Sequence, residues 1–270
     1  MSYNYDEAFS RNLGILTPSD MSIIKKTKVG IAGMGGSGSN YLLALTRLGF
    51  ENFVIADPDI YEIANINRQA GADTTSFGKN KVAVMKEMAL KINPNLVIDS
   101  IEEGFSDKTS DRFFKDTNIV IDAIDFLRMD LHQMLHDESQ ARGIYSICGG
   151  SPFGFGVSLT VFGPNTLTFN QAFNILNDDD LLTRMKKFFK GMTSGGLPYA
   201  YLDEKLTNLP DKIEDVYISS VSPSLYLATA MASSEVLFTI LNKRSPMLVP
   251  NVLQIDLFTR TMSVSHISTI

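Results

Sequence analysis

Two hydrophobic rhythms alternate along the first half of the chain. Short apolar runs, "KVGIAG", "NFVIADPD", "NLVIDSIEEG" and "TNIVIDAID", read as strands, with two acids closing the second and Asp125 closing the fourth. Between them, "SNYLLALTRLGF" carries Leu42, Leu45 and Leu48 at helical spacing, and "KNKVAVMKEMALKINP" predicts a helix that Pro94 closes. A charged helical stretch surrounds "DRFFKD". Ahead of the first strand, "TPSDMSIIKK" has a helix start: Thr17 as N-cap, Pro18 at the first helical position and Asp20 near the positive end. Strands alternating with helices predict parallel pairing through right-handed crossovers, an α/β fold with a doubly wound, mostly parallel sheet.

The pattern changes after "DLHQMLHDESQARGI". "YSICGG" and "VSLTVFGP" read as strands with "SPFGFG" as their connection. From Asn165 to about Asp215 no period stands out, although "DDDLLTRMKKFFKGM" fits a short amphipathic helix within a loop-rich excursion. "SPSLYLATAMASSEVLFTILNKR" is a long, largely apolar helix, and "NVLQIDLF" with "TMSVSHIS" forms a closing antiparallel hairpin. These elements divide the chain into a nucleotide-binding segment, 1–162, with a helical arm over 1–28, and a substrate-side segment, 163–270, packed on the same sheet.

Composition narrows the function classes. The 24 Lys and Arg against 30 Asp and Glu leave a net charge of −6, which argues against a broad nucleic-acid or anionic-membrane surface. Cys148 is the one cysteine, so these residues form no internal disulfide and no CxxC zinc pair, and a reducing cytoplasm fits best. Its expected role is that of a small buried hydrophobe. His132, His136 and His266 do not cluster with Cys or paired acids in the sequence, so no metal site built on them is expected. No stretch has the length of a membrane span, and the opening "MSYNYDEAFSRNLG" has no leader pattern.

The candidate chemistry starts at "IAGMGGSGSN". Gly33, Gly35 and Gly38 satisfy G-x-G-x-x-G, with Gly36 inside the same turn, and a helix begins there whose N–H groups would face phosphates. Asp57 and Asp59 follow at the end of the next strand, about 20 residues on, where an acid takes ribose hydroxyls. A dinucleotide oxidoreductase would show the same glycines and acid. Beyond them, "DIYEIANINRQ" places Asn65, Arg68 and Gln69 at the carboxyl edge of the sheet, and Lys81 opens the next helix. Two cations at one phosphate site suit nucleotidyl transfer, in which charge grows on phosphoryl oxygens and departing pyrophosphate. Asp125 could hold the magnesium that bridges triphosphate oxygens.

The motifs "FSRNLG", "GMGGSGSN", "DPDIYEIANINRQ", "FGKNKV", "INP" and "VIDAIDFLR", in this order, resemble the ThiF, MoeB and HesA family, whose Rossmann-like adenylating fold is shared with ubiquitin-activating enzymes. The resemblance extends over nearly the whole chain and implies an ATP- and magnesium-dependent adenylyltransferase that activates a carboxylate, such as the C-terminus of a ubiquitin-like protein or a peptide. It implies ribose binding by Asp59, support of the turn by Asp57, phosphate contacts from Asn65, Arg68 and Lys81, and a buttress at Gln69. It further implies a magnesium-linked Asp125 and an Arg11 that reaches the ATP site of a second subunit in a homodimer. Family members that pass their product to a thiol carry a later cysteine, and many carry paired CxxC motifs; neither occurs here, so an acyl-AMP without a cysteine thioester is expected. An NAD-binding oxidoreductase and a non-catalytic ATP-binding scaffold are the alternatives.

Overall fold

A computed structural model describes residues 2–194 and 219–267. One eight-stranded sheet runs through them in the order β3-β2-β1-β4-β5-β6-β7-β8. The strands β1 (Lys28–Ala32), β2 (Asn52–Ala56), β3 (Val97–Ile101), β4 (Ile119–Asp122) and β5 (Tyr145–Phe153) are parallel neighbours. β6 (Gly156–Phe162), β7 (Asn251–Asp256) and β8 (Thr261–His266) continue the sheet antiparallel, as the late alternation predicts. The expected "SPFGFG" connection is shorter: Ser151–Phe153 belong to β5 and only 154–155 turn the chain.

Helices cover both faces because side chains alternate along each strand. On one face Val29, Ile31, Phe53, Ile55, Ile119 and Ile121 meet α2 (Pro18–Lys26), α3 (Gly36–Leu48) and α4 (Lys81–Ile92), and also α9 (Ser222–Ile240). On the other, Ala32, Val54, Ala56 and Val120 pack on Phe113 and Phe114 of α5 (Ser110–Phe114) and on Leu135 of α6 (Met129–Ala141). A four-residue helix, α1, spans Tyr5–Ala8. The α2 cap forms as expected: Thr17 Oγ1 accepts from the Asp20 amide at 3.1 Å, and the Thr17 amide donates to Asp20 Oδ2 at 2.9 Å.

The stretch without a period contains α7 (Phe169–Ala172), which periodicity does not reveal, and α8 (Leu181–Met192), which it does. Its remainder, 195–215, lies outside the described residues. Phe162, Phe169, Phe173, Met185 and Phe188 form a separate apolar cluster there. Among the described residues no helix is long and apolar enough to cross a membrane.

Candidate active site

The chain winds outward from β1 to β2 and β3, then returns to lay β4 on the other side of β1. Such a reversal opens a crevice at the carboxyl ends of the strands. Here it is a cavity of about 770 Å³, a volume suited to a small ligand.

Gly33, Gly35 and Gly36 stand at its floor with Gly38 buried behind them, and the four motif glycines divide by function. Gly33 has φ +99°, and a Cβ there would stand 2.0 Å from the Ala123 carbonyl oxygen; one on Gly38 would stand 1.9 Å from the Gly33 oxygen. Both exist so that α3 can start tight against β1 and the loop after β4. A Cβ on Gly36 would strike Leu225 at 2.5 Å. Gly35 is different: a Cβ would meet nothing nearer than Gln69 Nε2 at 3.9 Å, so this position borders open cavity. No side chain caps α3, which leaves its leading N–H groups to a ligand.

Asp57 is consumed by the fold. Its two oxygens accept from the amides of Met34, at 2.6 Å, and Asp59, at 2.8 Å. Burial raises its carboxyl above the ordinary range against the opposing pull of Lys81. Asp59 remains exposed, with Oδ2 at 2.9 Å from Lys81 Nζ, and both residues line the cavity. Arg68 also stands on the wall, its Nη1 donating to the Ala64 carbonyl and to Asn67 Oδ1, each at 3.0 Å. Gln69, buried on the same wall, leaves Oε1 without a partner.

Besides Gly38, two expected residues are not brought to the cavity wall. Asn65 is buried behind it, its Oδ1 accepting from the Glu62 amide at 2.9 Å and its carbonyl accepting from the amides of Arg68 and Gln69. It shapes the turn that presents those two residues. Arg11 is exposed on a 3-10 turn, Ser10–Asn12, away from the cavity of its own chain.

Asp125 lies on the wall, but β4 stops three residues earlier, at Asp122. The strand ends because Asp122 Oδ1 accepts from the Ile124 amide at 3.1 Å, a side-chain turn that competes with the ladder. Asp125 Oδ1 then accepts from the Leu127 amide at 2.9 Å, leaving the carboxylate exposed.

Behind this loop the histidines do meet an acid and the cysteine, which the sequence reading does not anticipate. His132 and His136, one turn apart on α6, both reach Asp122 Oδ2, through Nδ1 at 2.6 Å and Nε2 at 2.9 Å. Parallel pairing places Cys148 beside Asp122, so the ligand atoms of Asp122, His136 and Cys148 lie within 4.8 Å of one another. The only signal in the sequence was the four-residue spacing in "HQMLH". A zinc ion about 2.0 Å from nitrogen and oxygen would hold these two atoms roughly 3.3 Å apart, so the 2.6 and 2.9 Å contacts describe shared protons. Burial would raise the Asp122 carboxyl, yet the charge and hydrogen bonds of His132, with those of His136, outweigh it and hold it well below the carboxylate range. Burial would likewise lower His132, and Asp122 reverses that too. Cys148 is buried as expected, and desolvation, then Asp122, pushes its thiol well up.

Residues 9–269 match the ThiF family. The chain belongs to it. Among relatives of this ThiF protein, the tRNA threonylcarbamoyladenosine dehydratase of Bacillus subtilis is 32% identical over 127 residues, 47% of this chain and 50% of that protein. The Haemophilus influenzae protein of the same name is 33% identical over 123 residues, 45% of this chain and 47% of its own. The chain thus spans about half the length of the curated relatives it matches. Two solved structures share the fold. PaaA has a TM-score of 0.72 and 23% identity, with 99% of this chain and 84% of PaaA covered. Escherichia coli MccB solved with ATP has a TM-score of 0.72 and 17% identity, with 100% and 75% covered.

Proposed function

We propose that this ThiF-family protein is an ATP-dependent adenylyltransferase that converts a carboxylate to an acyl-AMP and releases pyrophosphate. The observation that carries this reading is one cavity that joins an open glycine cradle at a helix start to Lys81, Arg68 and an exposed Asp125. A nicotinamide cofactor would use the glycines and an acid but would leave these cations and Asp125 without a task.

The residues present fit the nucleotide. The space at Gly35 admits a phosphate, the Gln69 Nε2 donor lies at its edge, and exposed Asp59 suits ribose hydroxyls. Asp125 suits magnesium, a hard cation that takes carboxylate and phosphate oxygens and, when bound, offsets charge developing on the phosphates. The incoming carboxylate oxygen bonds the α-phosphorus while the bond to pyrophosphate breaks and its electron pair leaves with pyrophosphate. Lys81 and Arg68 offset the charge of that passage, in a site where Lys81 is already desolvated. The N–H groups at the start of α3 hold the phosphates in line. Arg11 completes the site of a partner subunit in a cytoplasmic homodimer, and Asn65 acts by holding Arg68 and Gln69.

The substrate carboxylate is the C-terminus of a peptide or small ubiquitin-like protein, and its adenylate passes to an acceptor other than Cys148. A buried thiol raised this far supplies little thiolate for a thioester. The named dehydratase relatives favour one further reading, a carboxylate within tRNA, against which the net charge of −6 weighs.

ATP–pyrophosphate exchange, run with magnesium against peptide and small-protein carboxylates, tests the proposal. Label should enter ATP only when a carboxylate is present. Tight NAD binding that ignores magnesium, with no exchange for any carboxylate, would sink it.

A further inference from the structure

We propose that His132 is a positioning residue, a strut that ties the loop carrying Asp125 to the end of β4 and to the ring cluster of α7 and α8. The proposal rests on the adenylation reading for Asp125's task, but its geometry stands independently.

His132 Nδ1 is 2.6 Å from Asp122 Oδ2, and Nε2 is 3.2 Å from the Asp125 carbonyl oxygen. A carboxylate and a carbonyl both accept, so the ring bridges two acceptors, one at the end of β4 and one on the Asp125 backbone. The neighbouring His136 does not compete for that role. Its Nδ1 faces the Ser146 hydroxyl at 2.7 Å, which can donate, and its Nε2 gives a hydrogen to Asp122, so it is satisfied as the neutral ring. Asp122 therefore collects the Ile124 amide and two histidines, and only one of those partners, His132, also reaches the Asp125 backbone.

The strut bears on the site because the Ala123 and Ile124 amides anchor only the start of the loop, to Ala32 of β1 and Asp122 of β4, whereas His132 reaches Asp125 itself. The Asp125 carbonyl also accepts from the Arg128 amide at 2.9 Å, and Asp125 Oδ1 from the Leu127 amide. Both bonds bend the loop locally, and neither fixes it to the sheet. Without His132 the same turn could form with its carboxylate displaced along the cavity.

The same ring meets the substrate-side segment. His132 stacks on Phe188 of α8 with centroids 5.6 Å apart, and lies 6.4 Å from Phe169 of α7 at an interplanar angle of 5°. Phe126, the residue after Asp125, packs on Phe188 at 5.8 Å. Phe188 thus touches the loop on one side and its strut on the other, and it is itself part of the cavity wall. The position of α8 and the stance of Asp125 are set together. The aromatic residues bring no charge of their own; the ionisable groups facing the strut are Asp122 and Asp125, and His136 and Cys148 lie by the same Asp122.

Hydrogen exchange of the full chain and its His132→Phe and His132→Gln variants provides the test, with nucleotide affinity and the exchange reaction alongside. His132→Phe keeps ring shape and removes both donors; His132→Gln keeps a single amide able to reach one acceptor. The amides of Ile124, Leu127 and Arg128 should lose protection in His132→Phe and recover part of it in His132→Gln, while the β1 amides stay protected. The magnesium concentration for half-maximal pyrophosphate exchange should rise roughly 10-fold in His132→Phe, as for other residues that orient a metal ligand, with KM for the carboxylate little changed. Parent-like protection at 124–128 in a folded variant overturns the proposal, as does an equal loss of protection across the whole sheet, which would mark a merely structural residue. If His132→Phe does not fold, the His132→Gln protection pattern decides by the same criteria. A parent with no exchange activity but with the expected protection changes would refute the adenylation reading and leave the strut intact.

Discussion

Lys81 Nζ stands 2.9 Å from Asp59 Oδ2, a buried cation held by an exposed acid: the side chains are 8% and 64% accessible. The pair orders the lysine before any ligand arrives and leaves the acid free on its outer side. Lys81→Ala should lower pyrophosphate exchange about 100-fold, or roughly 3 kcal/mol of transition-state stabilisation. Asp59→Asn should act mainly on KM for ATP, raising it roughly 10-fold with a smaller change in kcat. Steady-state exchange kinetics on both variants check this; parent-like rates in Lys81→Ala would remove it from the chemistry.

Two alanines in one turn should behave oppositely. In Gly38→Ala the new methyl meets the Gly33 oxygen at 1.9 Å, where α3 cannot retreat without leaving β1, so the cost falls on folding, about 1–3 kcal/mol or more. In Gly35→Ala the methyl has room and fills the space expected for a phosphate. Calorimetric melting should show a lowered Tm for Gly38→Ala alone, and ATP titration should show lost affinity for Gly35→Ala at parent Tm.

Acid should loosen the arm. The Thr17 amide, then the Lys243 ammonium at 2.9 Å, lower the Asp20 carboxyl from 3.8 to about 2. Because the folded value is depressed, the stabilisation is complete above about pH 4 and disappears as pH falls toward 2. Asp20→Asn keeps an acceptor for the cap but not the charge. Its Tm should lie below the parent's at pH 6, and the difference should shrink between pH 4 and 2; a constant difference across that range would refute the assignment.

Arg11 offers a test that needs two inactive proteins. If it serves the partner's site, Arg11→Ala and Lys81→Ala each silence exchange, and mixing them rebuilds one intact site in every heterodimer. Random reassortment then restores about a quarter of parent activity, because half the dimers are mixed and one of their two sites works. A mixture as inactive as its components would refute action across the interface, and an Arg11→Ala protein with parent activity would place Arg11 outside the reaction.

The sequence makes the inner strands legible because Val29 to Ala32 and Ile119 to Ile121 are apolar without a break, as double-sided burial demands. The glycine turn is equally plain, since contacts with Ala123 and Gly33 leave no room for another residue. Arg68 and Lys81 are readable as one site because the intervening segment doubles back through the Ile60–Asn80 and Tyr61–Phe77 bridges, returning its end to the same wall. Asn65 is misplaced by the motif alone, since nothing in "ANINRQ" says which side chain turns inward to cap the loop. The Asp122 cluster is hidden for a topological reason. His132 and His136 share a helix, but their acid lies ten and fourteen residues earlier, and Cys148 joins them only through the β4–β5 register. The four-residue α7 is too short to impose a period on the sequence around Phe169.

Ser222–Ile240 lies across α3 and β5 and adds Ala228, Ala232 and Val236 to the same core that the opening strands fill. A boundary after residue 162 can therefore be drawn on paper but not cut in the polymer. A chain severed there would leave Tyr41 and Ile147 on a wet flank, and the crevice would lose Leu225 from its rim. The late helix is as much a part of that core as the strands it covers.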